Sequence, residues 1–216
     1  MKIKSLFIVL VVAAGLSSCK KDDFNYPDGT VGISKIVYFP SVSIKGDHLI
    51  ILTQGQTFTD PGATAILNGA AVQYTTTGGT VNTSAGGLYN LVYTATNAEG
   101  YSASDWRTVV VIGNDVAAND FSGTYLRTGF TTSTWTKTAS GIYDVENPGG
   151  AGAGAGLHVI AVNYTGKKIA IPKQVSPDFG IVSSGSESYS SGPPATYTWI
   201  FFAGGYGTGA RTFIKQ

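Results

Sequence analysis

Charge is scarce in this chain. Charged residues make up 12% of 216, about half of the roughly 25% usual in soluble domains. That shortage excludes a long solvated helix, a coiled coil and a highly charged disordered chain. Cysteine occurs once, at Cys19, so no internal disulfide can form. Histidine occurs twice, at His48 and His158, and no further His or Cys completes a catalytic triad or a metal set. Neither a cofactor nor a metal is expected. Fourteen basic and thirteen acidic side chains leave +1, or −1 without Lys2 and Lys4 of the leader. Such a balance offers no field for nucleic acid. Beyond the leader, no segment keeps an apolar stripe at helical spacing over three turns, so almost no helix is expected. What is present instead is glycine, at 29 residues, with abundant Thr, Tyr, Val and Ile, which favours strands.

The chain opens with Met1-Lys2-Ile3-Lys4, an apolar run from Leu6 to Leu16, and Ser17-Ser18-Cys19. A basic start, a short apolar run and small residues form a secretory signal, and the run is shorter than the ~20 residues a spanning helix needs. Leu16-Ser17-Ser18-Cys19 resembles the bacterial lipobox, which implies cleavage after residue 18 and a lipid on Cys19. Lys20-Lys21-Asp22-Asp23 resembles the surface-export signal of Bacteroidetes lipoproteins, which implies an outer-membrane anchor facing the cell exterior. Residues 19–35 read as a lipidated flexible stalk.

From Ile36 onward, apolar and β-branched runs alternate with Gly, Asn, Asp and Pro, at the 8–12-residue spacing of an all-β sandwich. The runs are Ile36–Phe39, His48–Leu52, Ala63–Leu67, Ala71–Thr75, Gly87–Thr96 and Arg107–Ile112. Residues 113–120 break the pattern, giving domains at 36–113 and 120–216. The second set includes Thr131–Thr138, Gly141–Glu146, Leu157–Tyr164, Gly180–Ser183 and Thr196–Phe202, with a Gly/Ala run over 149–156. No Gly-Lys-Ser/Thr follows that run, so it reads as a mobile hairpin loop and not a phosphate cradle.

In the first domain, Phe58-Thr59-Asp60-Pro61-Gly62-Ala63-Thr64-Ala65 makes a tight corner: Asp caps, Pro presets φ and Gly admits positive φ. Gly87-Leu88-Tyr89, Val92-Tyr93-Thr94-Ala95, Asn97-Ala98-Glu99-Gly100 and Arg107-Thr108-Val109-Val110-Val111 follow. Over about residues 45–112 this combination resembles the bacterial Ig-like domains of surface and secreted proteins, which implies a sandwich acting as spacer or scaffold. Trp106 stands outside that pattern. Residues 120–216, with Phe121-Ser122-Gly123-Thr124-Tyr125 and Gly141-Ile142-Tyr143-Asp144-Val145, resemble the C-terminal β domain of small Bacteroidetes lipoproteins from glycan-utilisation loci. The fold expected is therefore all-β: an Ig-like sandwich, then a second sandwich or barrel-like domain.

The resemblance implies extracellular ligand capture beside an outer-membrane importer. A glycan is the expected ligand, because sugar rings stack on exposed aromatic rings. Tyr197, Trp199 and Phe201 alternate with Thr198, Ile200 and Phe202, so that strand is apolar on both faces and Trp199 reads as core. Trp135 shares its strand face with Thr131, Ser133 and Lys137, so its ring is expected to be exposed. Tyr206 sits in a glycine loop. Trp135, Tyr206 and Trp106 are the candidate ligand platform. No enzyme activity is expected; the catalytic alternative is a small glycan hydrolase using Asp144 and Glu146. A structural or adhesive scaffold without small-ligand binding is the other alternative.

Overall fold

The structure, a computed structural model, describes residues 26–31 and 34–216. The expected leader and the expected lipidation at Cys19 lie outside the described residues. Up to Tyr38 the chain forms one small unit, and Phe39–Gln216 forms a second. In the first, β1 (Thr30–Val31) pairs antiparallel with β2 (Ser34–Lys35). A turn at Pro27, whose carbonyl accepts from Thr30 N at 3.2 Å, precedes them where an unstructured stalk was expected.

The second unit is β structure throughout, as composition required. Its helical segments among the described residues are two short 3₁₀ turns, Asn114–Val116 and Gly152–Gly154. Seven strands come first: β3 (Ser41–Ile44), β4 (Leu49–Thr53), β5 (Ala63–Leu67), β6 (Ala70–Ala71), β7 (Thr75–Thr77), β8 (Gly87–Thr96) and β9 (Ser102–Ile112). They form a three-stranded sheet, β3-β5-β6, and a four-stranded sheet, β4-β9-β8-β7, in which β4 runs parallel to β9. Two expected strands are corrected. Residues 36–40 form no strand, because the apolar run ends at Pro40 and pairing starts at Ser41. Ala71–Thr75 divides into β6 and β7, which belong to different sheets.

Between these sheets pack Leu52, Ala63, Leu91, Tyr93, Val109 and Val111. The Asp-Pro-Gly corner is locked from inside. Arg107 is fully buried; its guanidinium pairs with Asp60, donates to the Tyr93 hydroxyl at 3.0 Å, and reaches the carbonyls of Asp47 and Lys45. The Tyr93 hydroxyl donates to Asp60 Oδ1 at 2.8 Å, and Gly62 N–H donates to the same oxygen at 3.1 Å. Gly62 has φ +71°, and a Cβ there would stand 2.6 Å from the Tyr74 hydroxyl, so the corner needs glycine twice over. The separated motifs of the first domain thus converge on one buried cluster.

The remaining strands are β10 (Gly123–Arg127), β11 (Thr132–Ala139), β12 (Ile142–Glu146), β13 (His158–Thr165), β14 (Lys168–Ala170), β15 (Gln174–Ser176), β16 (Gly180–Ser190), β17 (Thr196–Phe202) and β18 (Arg211–Lys215). They make one antiparallel sheet in the order β14-β13-β12-β11-β10-β18-β17-β16-β15, curled into a half-barrel. Where its ends approach each other, side chains join them. Gln174, itself buried, accepts from Ile160 N–H at 3.0 Å and donates to the Ile160 carbonyl at 2.7 Å. Ser184 N–H donates to the Ile171 carbonyl at 3.0 Å.

Inside the half-barrel lies an aromatic core that includes Phe121, Tyr125, Trp135, Tyr143, Trp199 and Phe213. The 149–156 run is not a free loop. Gly149 and Gly150 are buried, and a Cβ on Gly149 would meet the Tyr206 ring at 2.1 Å. Glycine is needed there because an aromatic ring packs directly on the backbone.

From Trp106 to Ile112, strand β9 is buried on both faces, which joins the two halves. Val109 and Val111 point into the sandwich. Val110 and Ile112, with Leu49 and Ile51 of β4, pack against Val162 and Ala170 of the half-barrel. The 113–120 connection is also held, since Gly113 N–H donates to the Tyr164 carbonyl and Gly166 N–H to Asp115 Oδ2.

Burial raises the pKa of Tyr93, Tyr125, Tyr143, Tyr164, Tyr189 and Tyr197 above the ordinary 10.0. A tyrosine with a raised folded-state value keeps its proton longer in the native state than in the unfolded one. The associated stability is complete below the ordinary value and is lost as pH climbs toward the folded value. Stability should therefore hold to about pH 10 and then fall. Absorbance at 295 nm should show these phenols ionising late and together with loss of near-UV circular dichroism. Full ionisation of all tyrosines near pH 10 with the fold intact would refute this.

Candidate functional site

The aromatic platform expected from the sequence is not what the fold assembles. Trp135 is 2% exposed, so its expected exposure is corrected. Its strand face turns into the half-barrel, where the ring stacks on Trp199 at 5.4 Å. The polar neighbours that suggested exposure are accommodated by hydrogen bonds. Ser133 Oγ donates to the Glu146 carbonyl at 3.0 Å, and Lys137 Nζ donates to the Asn119 carbonyl at 2.7 Å. Trp199 is core, as read, and its indole N–H donates to the Pro148 carbonyl at 2.9 Å.

Tyr206 is half-buried, not an open loop ring; it packs edge-on against Phe201 and Phe179 and closes one end of the half-barrel. Trp106, 9% exposed, lies between the His48 ring, 4.5 Å away, and the Lys173 ammonium, 4.2 Å from the indole centre. The three candidate rings therefore do not share one surface.

The histidines have structural partners. His48 Nδ1 is 2.7 Å from the Trp106 carbonyl; a carbonyl can only accept, which places the proton on Nδ1. His158 Nδ1 lies 2.7 Å from Asp144 Oδ2, and both side chains are exposed. Such a pair contributes ~0–1 kcal/mol. Asp144 and Glu146 point outward from the same face, as expected. Glu146 Oε1 accepts from Gly156 N–H at 2.8 Å, so each of the two acids is held by a neighbour. Among the described residues, no group of three or more His, Cys, Asp or Glu could hold a metal ion.

A groove in two parts forms along the half-barrel, and its second part reaches the sandwich. One part, about 490 Å³, lies between Tyr164, Lys167 and Lys168 on one side and Glu187, Ser188 and Tyr189 on the other. The second part, about 350 Å³, continues past Leu88 and Asn90 of β8 to Pro172, Lys173 and Ser183. Tyr164 and Glu187 line both parts, which therefore adjoin.

Its walls are fixed by the fold. The Asn90 amide oxygen accepts from Thr108 at 2.9 Å, leaving the amide nitrogen as a donor on the groove wall. Ser184 accepts from Ile171 N–H at 2.6 Å and donates to the Glu187 carboxylate. Tyr189 meets Phe121 edge-to-face at 4.5 Å. Burial, then the Glu187 charge, raises the Tyr164 hydroxyl pKa. Burial lowers that of Lys173, and the Asp105 charge partly opposes it. Rings with hydroxyl tips, an amide, a carboxylate and ammonium groups suit a polyhydroxylated ligand.

None of these groove residues stood out in the sequence. Gly180–Ser183 was expected as a short strand, whereas β16 runs on to Ser190, so Tyr189 and Glu187 appeared to lie in a loop. Tyr164 and Lys167 are 25 and 20 residues away from Tyr189 and Glu187 in sequence, and only the curl of the sheet brings them together.

No curated protein matches the chain. Among solved structures it is similar to the lipoprotein BT2262 from Bacteroides thetaiotaomicron, at 21% identity and a TM-score of 0.36, over 82% of this chain and 100% of that one. Residues 42–111 match the family model described as bacterial surface protein, Ig-like domain, the segment that holds the Asp60, Tyr93 and Arg107 cluster.

Proposed function

We propose that this protein is a non-catalytic cell-surface lipoprotein that captures an extracellular glycan in the two-part groove. It is held in the outer membrane by a lipid on Cys19 and faces outward, beside an importer that takes up the captured sugar. The observation that carries this reading is the two-part groove, with Tyr189 on one part, Asn90 on the other, and Tyr164 and Glu187 on both. The Ig-like domain is more than a spacer in this reading, because Leu88 and Asn90 form part of the wall. The engagement of Asp144 by His158 and of Glu146 by Gly156 supports a role without catalysis.

Calorimetry of the lipid-free chain starting at Lys20, against a panel of oligosaccharides, tests it. At least one sugar should bind. Tyr189→Leu should weaken binding about 3- to 10-fold with the fold intact, the loss of one stacked ring at roughly 0.5–1.5 kcal/mol. Leucine keeps the apolar contact with Phe121 while removing the flat ring. No binding across the panel would overturn the reading in favour of a scaffold. For that role, the exposed cross-strand pair Val175 (54%) and Ile181 (58%) offers an apolar contact.

A further inference from the structure

We propose that the ligand of this groove is an acidic polysaccharide, a uronate or a sulfated sugar. The proposal rests on the glycan reading above and narrows it. Lys167 and Lys168 lie at one end of the groove and Lys173 toward the other, while Glu187 is the one carboxylate among the lining residues. The groove thus carries a surplus of positive charge on a chain that is nearly neutral.

The three cations also make no direct ion pair. Among the described residues, none of them has a carboxylate within salt-bridge distance. Lys167 Nζ donates instead to the Asn119 amide oxygen at 2.8 Å, a neutral partner that holds the ammonium in place. Lys173 rests on the Trp106 ring and is half-buried. A half-buried ammonium with no carboxylate in direct contact loses hydration, and the Asp105 charge offsets that only in part, which leaves room for a closer counter-charge. An anionic group arriving in the groove supplies that counter-charge, and hydrogen bonds to charged groups are about twice as strong as neutral ones.

The carboxylate of Glu187 does not argue against an acid. It already accepts from Ser184, and at the groove wall its remaining lone pairs can take a sugar hydroxyl. Alternating hydroxyl and acidic groups along one sugar chain would meet Glu187 and the lysines in turn, with the rings against Tyr164 and Tyr189.

The test is calorimetry of the lipid-free chain from Lys20 with four probes of matched length: oligogalacturonate, chondroitin sulfate oligosaccharides, xylo-oligosaccharides and manno-oligosaccharides. The first two distinguish carboxylate from sulfate ester as the acidic group. At least one acidic probe should bind about tenfold tighter than either neutral one at about 0.05 M salt, with the advantage shrinking at about 0.5 M as screening increases. The K167A/K168A variant, altered at two exposed positions, should lose that advantage. Neutral probes that bind as tightly as acidic ones, or an acidic affinity unmoved by K167A/K168A, would overturn the acidic assignment and leave the glycan reading intact. Failure of all four probes would overturn both.

Discussion

Replacing Arg107 with methionine should lower the unfolding free energy by about 3–5 kcal/mol, the cost of breaking a buried ion pair from one side. The guanidinium serves Asp60, the Tyr93 hydroxyl and the carbonyls of Lys45 and Asp47 together. Methionine fills much of the volume but removes the guanidinium from all four acceptors, leaving Asp60 only its bonds from Tyr93 and Gly62. Asp60→Asn should cost less, about 1–2 kcal/mol, because Asp60 is 30% exposed and water can reach it. Arg107→Lys should fall between the two, since one ammonium cannot replace a forked guanidinium. Urea denaturation of the lipid-free chain, followed by tryptophan fluorescence, measures all three. An Arg107→Met protein within about 1 kcal/mol of the parent would mean that the cluster is a minor contributor.

Trp135→Ala should be as damaging, about 3–5 kcal/mol, because the indole is buried among Phe121, Tyr125, Tyr143, Tyr197 and Trp199 and its removal leaves a cavity. The conservative variants should separate the two stacked tryptophans. Trp135 Nε1 has no hydrogen-bond partner, so Trp135→Phe loses packing alone, at about 1–2 kcal/mol. Trp199→Phe also strands the Pro148 carbonyl, which accepts the indole N–H, and should cost about 1 kcal/mol more. The comparison is read from chemical denaturation midpoints at constant m. A Trp199→Phe protein as stable as Trp135→Phe would show that this hydrogen bond contributes nothing net. A glycan-binding defect in Trp135→Ala would report loss of the core and not loss of a sugar contact.

Much of the fold was legible because local pattern and tertiary role agreed. Ala63–Leu67, Gly87–Thr96 and Thr196–Phe202 read as strands from alternation, and each forms one with those ends. Agreement failed where composition conceals pairing. Gln174–Ser176 is three residues long between Pro172 and Pro177, too short for periodicity to reveal. The Ser-rich stretch from Ser183 to Ser190 lacks an apolar face, yet pairs with β17 along most of its length. Trp135 was misread because the side of its strand that carries Ser133 was taken as wet. A buried hydroxyl is tolerated once it has an acceptor, and the Glu146 carbonyl supplies one on the neighbouring strand. The groove was illegible for a different reason: it is made by the meeting of β13, β16 and β8, whose residues are distant in sequence.

The amide of Gln174 has one more consequence. It gives Ile160 both of the hydrogen bonds that a neighbouring strand would otherwise supply, and Ser184 similarly engages Ile171 from across the curl. A sheet border with free N–H and C=O groups is where a foreign strand can dock, the route by which β proteins polymerise or aggregate. Here the two borders of the half-barrel satisfy each other. A second molecule adding a strand at Ile160 would first have to displace a buried side chain already making the same bonds. That self-satisfied border acts as a guard against unwanted pairing.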